Sequence, residues 1–95
     1  MVTDPWAGHI RAVLYGIQFE KNPLDGVDWV MQQVVLAGAL QSTPRQYLES
    51  IQTALASQRP LAELLPQPHS EETIRLYLTE LEHRIQATLS LDTEN

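Results

Sequence analysis

Residues 27–40, VDWVMQQVVLAGAL, are the most apolar stretch of the chain. At about 100° per residue, its apolar residues fall into two stripes on nearly opposite sides of a helix. The first stripe contains Val27, Val30, Met31, Val34, Ala37 and Gly38. The second contains Trp29, Leu36 and Leu40. A helix that is apolar on both sides is a buried helix, and about 14 residues are too few to cross a bilayer. We therefore predict a central helix with neighbours on both sides, and a buried strand is the alternative because Val and Trp favour strands.

The first helix is predicted to open at Thr3-Asp4-Pro5 and to end at Asn22. Asp4 can cap it, and proline suits the first helical position because its missing N–H would have no partner there. A core stripe follows at helical spacing. It contains Trp6, Ile10, Val13, Leu14 and Ile17.

The other side of this helix carries a repeat of small residues. Gly8, Ala12 and Gly16 recur every four residues, with Tyr15 and Phe19 beside them. Each glycine inside a helix costs about 0.5–1 kcal/mol relative to alanine, so two of them suggest that something approaches the backbone closely. A second helix of the same chain is one explanation and a partner chain is the other. We take these five residues as the candidate interface and expect the chain to self-associate.

Local capping signals place three further helices. Asn22-Pro23 starts the second, Thr43-Pro44-Arg45-Gln46 reads as a capping box for the third, and Ser70 caps the fourth. The third has an apolar stripe made of Tyr47, Leu48, Ile51, Ala54 and Leu55, and the fourth has one made of Ile74, Leu78, Leu81 and Ile85. Residues 61–65 provide a short helical turn between them. The prediction is one all-α domain over residues 1–95, a compact bundle of four main helices plus one short turn, with the second helix central.

Charge and composition exclude several functions. The 95 residues carry a formal net charge of −6 with six Lys and Arg and no Cys. So few basic residues argue against a nucleic-acid or anionic-membrane surface, because such affinity comes from Lys and Arg neutralising phosphates. Disulfides and thiolate metal sites are excluded. The N-terminal MVTDPW lacks the pattern of a secretory signal, so we expect a cytoplasmic protein.

Catalytic and metal-binding patterns are missing as well. A catalytic zinc needs three protein ligands, and no pair among His9, His69 and His83 has ligand spacing within one helix. Ser70 follows His69 directly, but its predicted role is that of a helix cap. We therefore predict no enzymatic activity, no metal and no cofactor.

One segment resembles a known DNA-binding unit. The matching residues are Leu61-Ala62-Glu63-Leu64, Ser70, Thr73-Ile74-Arg75, Leu78 and Leu81-Glu82. This stretch resembles the second and third helices of a winged helix-turn-helix, and the resemblance implies that Arg75 and Thr79 face a DNA groove. The chain departs from that family because Pro66-Gln67-Pro68 lengthens the turn and no alternating hairpin follows Ile85 to form a wing.

These observations together predict a small, acidic, non-catalytic protein that acts by contact with another protein chain, either itself or a foreign one. A regulator, an adaptor or an inhibitor of the immunity type would fit, since an acidic protein is attracted to a basic enzyme surface. The alternative is a helix-turn-helix regulator that binds nucleic acid through residues 60–85.

Overall fold

The computed structural model describes residues 5–65 and 67–93, and within them every regular element is helical. Helix α1 is Pro5–Tyr15, α3 is Pro44–Ala56 and α4 is Glu71–Thr93. Helix α2 is composite: a 3-10 turn Pro23–Gly26 leads into an α-helical turn Val27–Val30 and a π-helical segment Met31–Val35. Shorter 3-10 turns are Ala39–Gln41 and Leu61–Glu63. The predicted all-α fold of four main helices and a short helical turn is confirmed.

Helix α3 packs against both α1 and α4, and the apolar stripes predicted for these three helices meet in the core. The fully buried side chains include Ile10, Val13, Leu14, Ile17, Ile51, Ile74, Leu78, Leu81 and Ile85, together with Tyr47 and Tyr77. Tyr77 lies outside the four-three-four stripe read from the sequence of α4. Its hydroxyl donates to the Val13 carbonyl oxygen at 2.8 Å, which satisfies the one polar atom of the buried ring.

The prediction that the second helix is buried on both sides is wrong. Its buried residues are Val27, Val30, Met31, Val34 and Val35. Trp29 and Leu36, from the predicted second stripe, are 55% and 49% exposed. The buried residues share one side of the helix at the spacing i, i+3, i+4, i+7 and i+8, and the opposite side, with Trp29 and Leu36, faces solvent. Ala37, predicted in the first stripe, follows the π-helical segment and lies at the surface.

Both α1 and α2 end earlier than predicted. Gly38, with φ of +75°, adopts the left-handed conformation that ends helices, so the α2 segment stops before Leu40. The regular part of α1 stops at Tyr15 rather than near Asn22. There the Ile17 N–H donates to the Leu14 carbonyl oxygen three residues back, at 3.0 Å, and residues 16–19 form a turn.

The predicted caps are confirmed wherever the structure describes them. Asn22 Oδ1 accepts from the Leu24 N–H at 3.1 Å. Thr43 and Gln46 form the complete capping box of α3, and Ser70 Oγ accepts from the Thr73 N–H at 3.2 Å. The cap predicted at Asp4 and the proline at position 66 lie outside the described residues.

Candidate functional site

Three aromatic side chains are exposed to solvent around the end of α1. Phe19 is 91% exposed, Tyr15 66% and Trp29 55%. Tyr47 and Tyr77, by contrast, are fully buried. We call Tyr15, Phe19 and Trp29 the aromatic face. Folding leaves much of the hydrophobic free energy of these side chains unrealised, since burying a Phe fully is worth about 1.5–3 kcal/mol.

Gly16 allows the end of α1, which carries Tyr15, to lie against Trp29 of α2. A β-carbon at this position would lie 2.9 Å from Trp29 Cζ3 and 2.9 Å from Val30 Cγ2, so only glycine lets the end of α1 approach α2 this closely. Tyr15 precedes Gly16, and Phe19 follows it in the turn 16–19. The exposed part of the indole therefore lies beside the segment that carries the other two rings.

The structure separates the five residues predicted as an interface into two groups. Tyr15 and Phe19 are exposed, as an interface in the free protein requires. Gly16 contacts α2 of the same chain, and Ala12 is half-buried and packs against the core. Gly8 is exposed, and no described atom outside its own stretch of helix lies within 4 Å of its would-be β-carbon, so nothing in the described part of the chain accounts for a glycine there. Whether a partner covers these residues stays a prediction.

Distant parts of the chain fix the turn that exposes Phe19. The Ile17 carbonyl oxygen accepts a hydrogen bond from His69 Nε2 at 3.1 Å and from the Glu20 N–H at 3.1 Å. One turn earlier, the Val13 carbonyl oxygen accepts from the Tyr77 hydroxyl. The last carbonyls of a helix lack intrahelical partners, and here side chains from α4 and its preceding loop supply them.

Charged residues surround the aromatic face. Glu20 and Asp25 are exposed and form no ion pair within the described part of the chain. Asp28 pairs with Arg84 of α4, and Arg84 pairs in turn with Glu80 at 2.9 Å. The hydrogen bond to Asp28, helped by Glu80, raises the pKa of Arg84, which therefore stays charged. The rim of the face carries more carboxylates than cations.

Arg75, a predicted groove contact, is engaged within the fold. Its Nε donates to Glu71 at 2.8 Å, as the predicted i,i+4 pair requires. Its terminal nitrogens donate to the carbonyl oxygens of Leu55, Ser57 and Arg59 at 3.0–3.1 Å, in the last turn of α3 and just beyond it. Each guanidinium nitrogen therefore already has a partner in the chain.

Glu71 completes this connection. Its carboxylate accepts from the backbone N–H groups of Leu61 and Ala62, at 3.0 and 2.8 Å, at the start of the short 3-10 turn. Burial tends to raise the pKa of Glu71, but these two hydrogen bonds and the Arg75 charge outweigh it and hold the pKa below its ordinary value. We call Glu71 and Arg75 the clasp, because together they tie α4 to the end of α3 and to the short turn.

Thr79, the second predicted nucleic-acid contact, is half-buried, and its hydroxyl donates to the Arg75 carbonyl oxygen at 2.8 Å within α4. A sequence-reading side chain needs free donors or acceptors directed at base edges. The Thr79 hydroxyl is committed as a donor, and four of the five N–H donors of Arg75 already have acceptors within the chain. The nucleic-acid alternative stays a prediction, and the geometry of these two residues does not favour it.

His9 forms the other polar cluster of the molecule. Its Nδ1 lies 2.5 Å from Ser50 Oγ of α3, and its Nε2 lies 2.7 Å from Ser42 Oγ. Burial lowers the pKa of His9 below its ordinary value, so the ring is neutral at pH 7, with one nitrogen donating and the other accepting. The ring also stacks at a tilt on Tyr47, with centroids 4.6 Å apart. Sequence spacing could not indicate this cluster, because its members come from three separate segments.

An open groove of about 290 Å³ borders this cluster. It is lined by Trp6, His9, Gln46, Glu49, Ser50 and Thr53. A serine beside a neutral histidine is part of a nucleophilic site, but such a site also needs a third group that orients the base and supports its positive charge. Here a second hydroxyl, that of Ser42, occupies that place. Within the described residues both ring nitrogens of His9 lie against hydroxyls, and the arrangement connects α1 to α3.

Comparison with protein-family models, with curated proteins and with solved structures finds no match to the chain. Within residues 5–65 and 67–93, no helix combines the length and the apolar character needed to cross a membrane. Among the same residues, no three His, Asp or Glu side chains come together as a group that could hold a metal ion.

Trp29 is the residue of the aromatic face that sequence reasoning missed. The predicted burial of α2 on both sides placed it in the core, whereas the polar neighbours Asp28, Gln32 and Gln33 were the only local signal for an exposed side. An apolar stripe on each side of a helix does not show which side the rest of the chain covers. The exposure of Trp29 therefore required the structure.

Proposed function

We propose that the chain is a non-catalytic protein that acts by contact with another protein chain through its aromatic face, as a regulator, adaptor or inhibitor. The observation that carries the proposal is the 91% exposure of Phe19, together with the exposure of Tyr15 and Trp29. Aromatic side chains dominate the binding energy of protein interfaces, and Tyr and Trp are enriched at their centres. A second copy of the chain and a foreign protein are the two candidate partners.

The polar clusters of the molecule support a non-catalytic role. The Glu71 carboxylate and the Arg75 guanidinium are engaged in the clasp, and His9 bridges two hydroxyls. A regulator or inhibitor needs no reactive group, only a surface whose shape and chemistry match its target. The aromatic face meets that requirement because its three rings are rigid and apolar, and Tyr15 and Trp29 each add a polar tip.

The test compares the wild-type protein with Phe19→Glu and with Leu76→Glu. Leu76 is 59% exposed on α4 and serves as the matched control away from the aromatic face. Light scattering across a concentration range measures self-association, and retention of a partner from an extract of the source organism measures foreign binding. We expect Phe19→Glu to keep the circular dichroism spectrum and melting temperature of the wild type but to lose association. Leu76→Glu should keep the fold and the association.

Two results would contradict the proposal. Association that survives Phe19→Glu unchanged would mean that the contact lies elsewhere. A wild-type protein that stays monomeric and retains no partner in a Phe19-dependent way would remove the aromatic face from consideration.

A further inference from the structure

We infer, building on the function proposed above, that the partner of the aromatic face is a basic amphipathic segment of a different protein. Such a segment would insert apolar residues between the rings of Tyr15, Phe19 and Trp29 and place Lys or Arg side chains on the surrounding carboxylates. Charge and ring chemistry each argue for it.

The first argument is that at least half of the six Lys and Arg side chains form hydrogen bonds or ion pairs within the chain. Arg11 Nε donates to the Leu64 carbonyl oxygen at 3.0 Å, Arg75 belongs to the clasp, and Arg84 is shared by two carboxylates. A smaller share of the carboxylates has a cationic partner within the described part of the chain. Those that form no ion pair within the described residues are Glu20, Asp25, Glu49, Glu63, Glu72 and Glu82. The net charge of −6 is therefore a property of the surface.

The second argument is the position of these charges. Glu20 directly follows Phe19, and Asp25 lies in the 3-10 turn that opens α2. Asp28 precedes Trp29 and is 76% exposed, although it is paired with Arg84. Lys21, directly after Glu20, is exposed, and Arg84 is exposed but paired with Asp28. Three acidic residues thus lie between Phe19 and Trp29 in the sequence, two of them directly beside the aromatic residues that a partner would cover.

Exposed aromatic rings beside carboxylates suit a cationic partner in particular. A guanidinium or ammonium over the face of Trp, Tyr or Phe gains about 0.5–1 kcal/mol at an exposed site. The same cation can hydrogen-bond a neighbouring carboxylate. Complementary charge of this kind also speeds the encounter of the two proteins and raises the selectivity for the correct partner.

A second copy of the chain fits this surface less well. In a two-fold symmetric dimer each residue of the face meets the same patch of the partner, so Glu20 and Asp25 of one copy would approach those of the other. Like charges brought together across an interface are unfavourable, and Lys21 alone is available nearby to offset them. The self-association expected from the sequence therefore becomes the competing outcome of the test.

The test uses two fluorescent model peptides and the intact protein. The first peptide is an amphipathic helix of leucine and lysine, and the second replaces each lysine by glutamate. Fluorescence anisotropy measures binding at low ionic strength and at about 0.15 M salt, where the Debye length falls to about 8 Å. We expect binding of the lysine peptide alone, with an affinity that decreases as salt rises.

Two variants separate the contributions of rings and charges. Phe19→Ser removes a ring that is almost fully exposed, so the fold should tolerate it, and we expect at least a tenfold loss of affinity. Glu20→Gln combined with Asp25→Asn should weaken binding about three- to tenfold and reduce its salt dependence. Glu63→Gln combined with Glu72→Gln, which neutralises two unpaired carboxylates outside the face, is the matched control and should change little.

The remaining outcomes each overturn the inference. Equal binding of both peptides, or equal losses in the two charge variants, would mean that charge does not select the partner. A Phe19-dependent dimer that binds neither peptide would identify a second copy as the partner, and the proposed interaction function would then still stand. A monomer that binds neither peptide would exclude a basic segment, and the extract experiment above would decide separately whether any partner uses the face.

Discussion

Gly8 lies within α1 and Gly16 directly follows it. A β-carbon would meet different surroundings at the two positions. At Gly8 it would meet open space, and at Gly16 it would collide with Trp29 and Val30. We therefore expect Gly8→Ala to raise the free energy of unfolding by about 0.5–1 kcal/mol. Gly16→Ala should lower it by about 1–3 kcal/mol, since well-packed neighbours must shift. Urea denaturation of both variants measures the difference.

The same pair of variants tests whether another chain lies against Gly8. A partner in close contact with that backbone would be pushed away by the new methyl group, so Gly8→Ala would weaken association even as the free chain becomes more stable. If Gly16→Ala proved as stable as Gly8→Ala, the Trp29 ring would have to be mobile, and the contact between α1 and α2 would be looser than described.

The hydroxyl of Tyr77 makes one buried hydrogen bond that stabilises the fold. It is fully buried and donates to Val13, whose carbonyl lies where α1 changes to a three-residue hydrogen bond. Tyr77→Phe keeps the ring and leaves that buried carbonyl without its side-chain donor, so we expect a loss of about 1–2 kcal/mol in the free energy of unfolding. Tyr15→Phe, at an exposed ring, is the control and should stay within about 0.5 kcal/mol of wild type. Equal stability of the two variants would mean that water or another donor replaces the hydroxyl.

The helix boundaries that depend on capping side chains could be predicted from the sequence. The capping box of Thr43 and Gln46 and the caps at Asn22 and Ser70 involve side chains only a few residues apart, so pattern and geometry agree. The early end of α1 depends on His69 and Tyr77, which are more than fifty residues away in the sequence. The π-helical segment of α2 likewise reflects how the helix packs, which no local pattern specifies.

The clasp connects α4 to the end of α3 and to the 3-10 turn Leu61–Glu63, so its removal should destabilise the packing of all three. Arg75→Met removes the cation from Glu71 and the donors from three carbonyl groups at and beyond the end of α3, so we expect a loss of about 1.5–3 kcal/mol in the free energy of unfolding. Arg84→Met, which breaks two exposed ion pairs, is the control and should lose much less. Chemical denaturation of both variants provides the comparison.

An equal, small effect of the two substitutions would show that the clasp is redundant with the packing of α3 on α4. The expected large effect has a consequence for the nucleic-acid alternative. Loss of DNA affinity on replacing Arg75 could then reflect a disturbed fold, so it would support DNA contact only if the melting temperature of the variant were unchanged.

For the molecule as a whole, part of the candidate site could be predicted from sequence. Tyr15 and Phe19 were visible as aromatic residues outside the core stripe of the first helix, and the acidic surplus was visible in the composition. Their combination into one acid-rimmed face was not, because it depends on Trp29 staying at the surface and on the internal use of Arg11, Arg75 and Arg84. Pairing of charges in three dimensions decides which of them a partner can reach.

The stability of the whole molecule should fall with decreasing pH in two separate ranges. Burial lowers the pKa of His9 below 6.5, so the unfolded chain takes up a proton at this residue more readily than the folded one. The stability contributed by neutral His9 is therefore present above about pH 6.5 and is lost as pH falls through the lowered pKa. Glu71 has a pKa below 4.5 in the fold, so its contribution is present above about pH 4.5 and is lost as pH falls further.

Melting temperatures measured between about pH 8 and pH 3 test these two ranges with one variant each. His9→Gln keeps a donor and an acceptor for Ser42 and Ser50 but cannot be protonated, so we expect it to flatten the decline just below pH 6.5 and to leave the decline below pH 4.5 intact. Glu71→Gln should do the reverse. His83→Gln, at an exposed position of α4, controls for the loss of a histidine and should keep both declines. If His9→Gln followed the wild-type curve throughout, protonation of His9 between Ser42 and Ser50 would cost little free energy. The desolvation of the ring would then be too weak to affect stability.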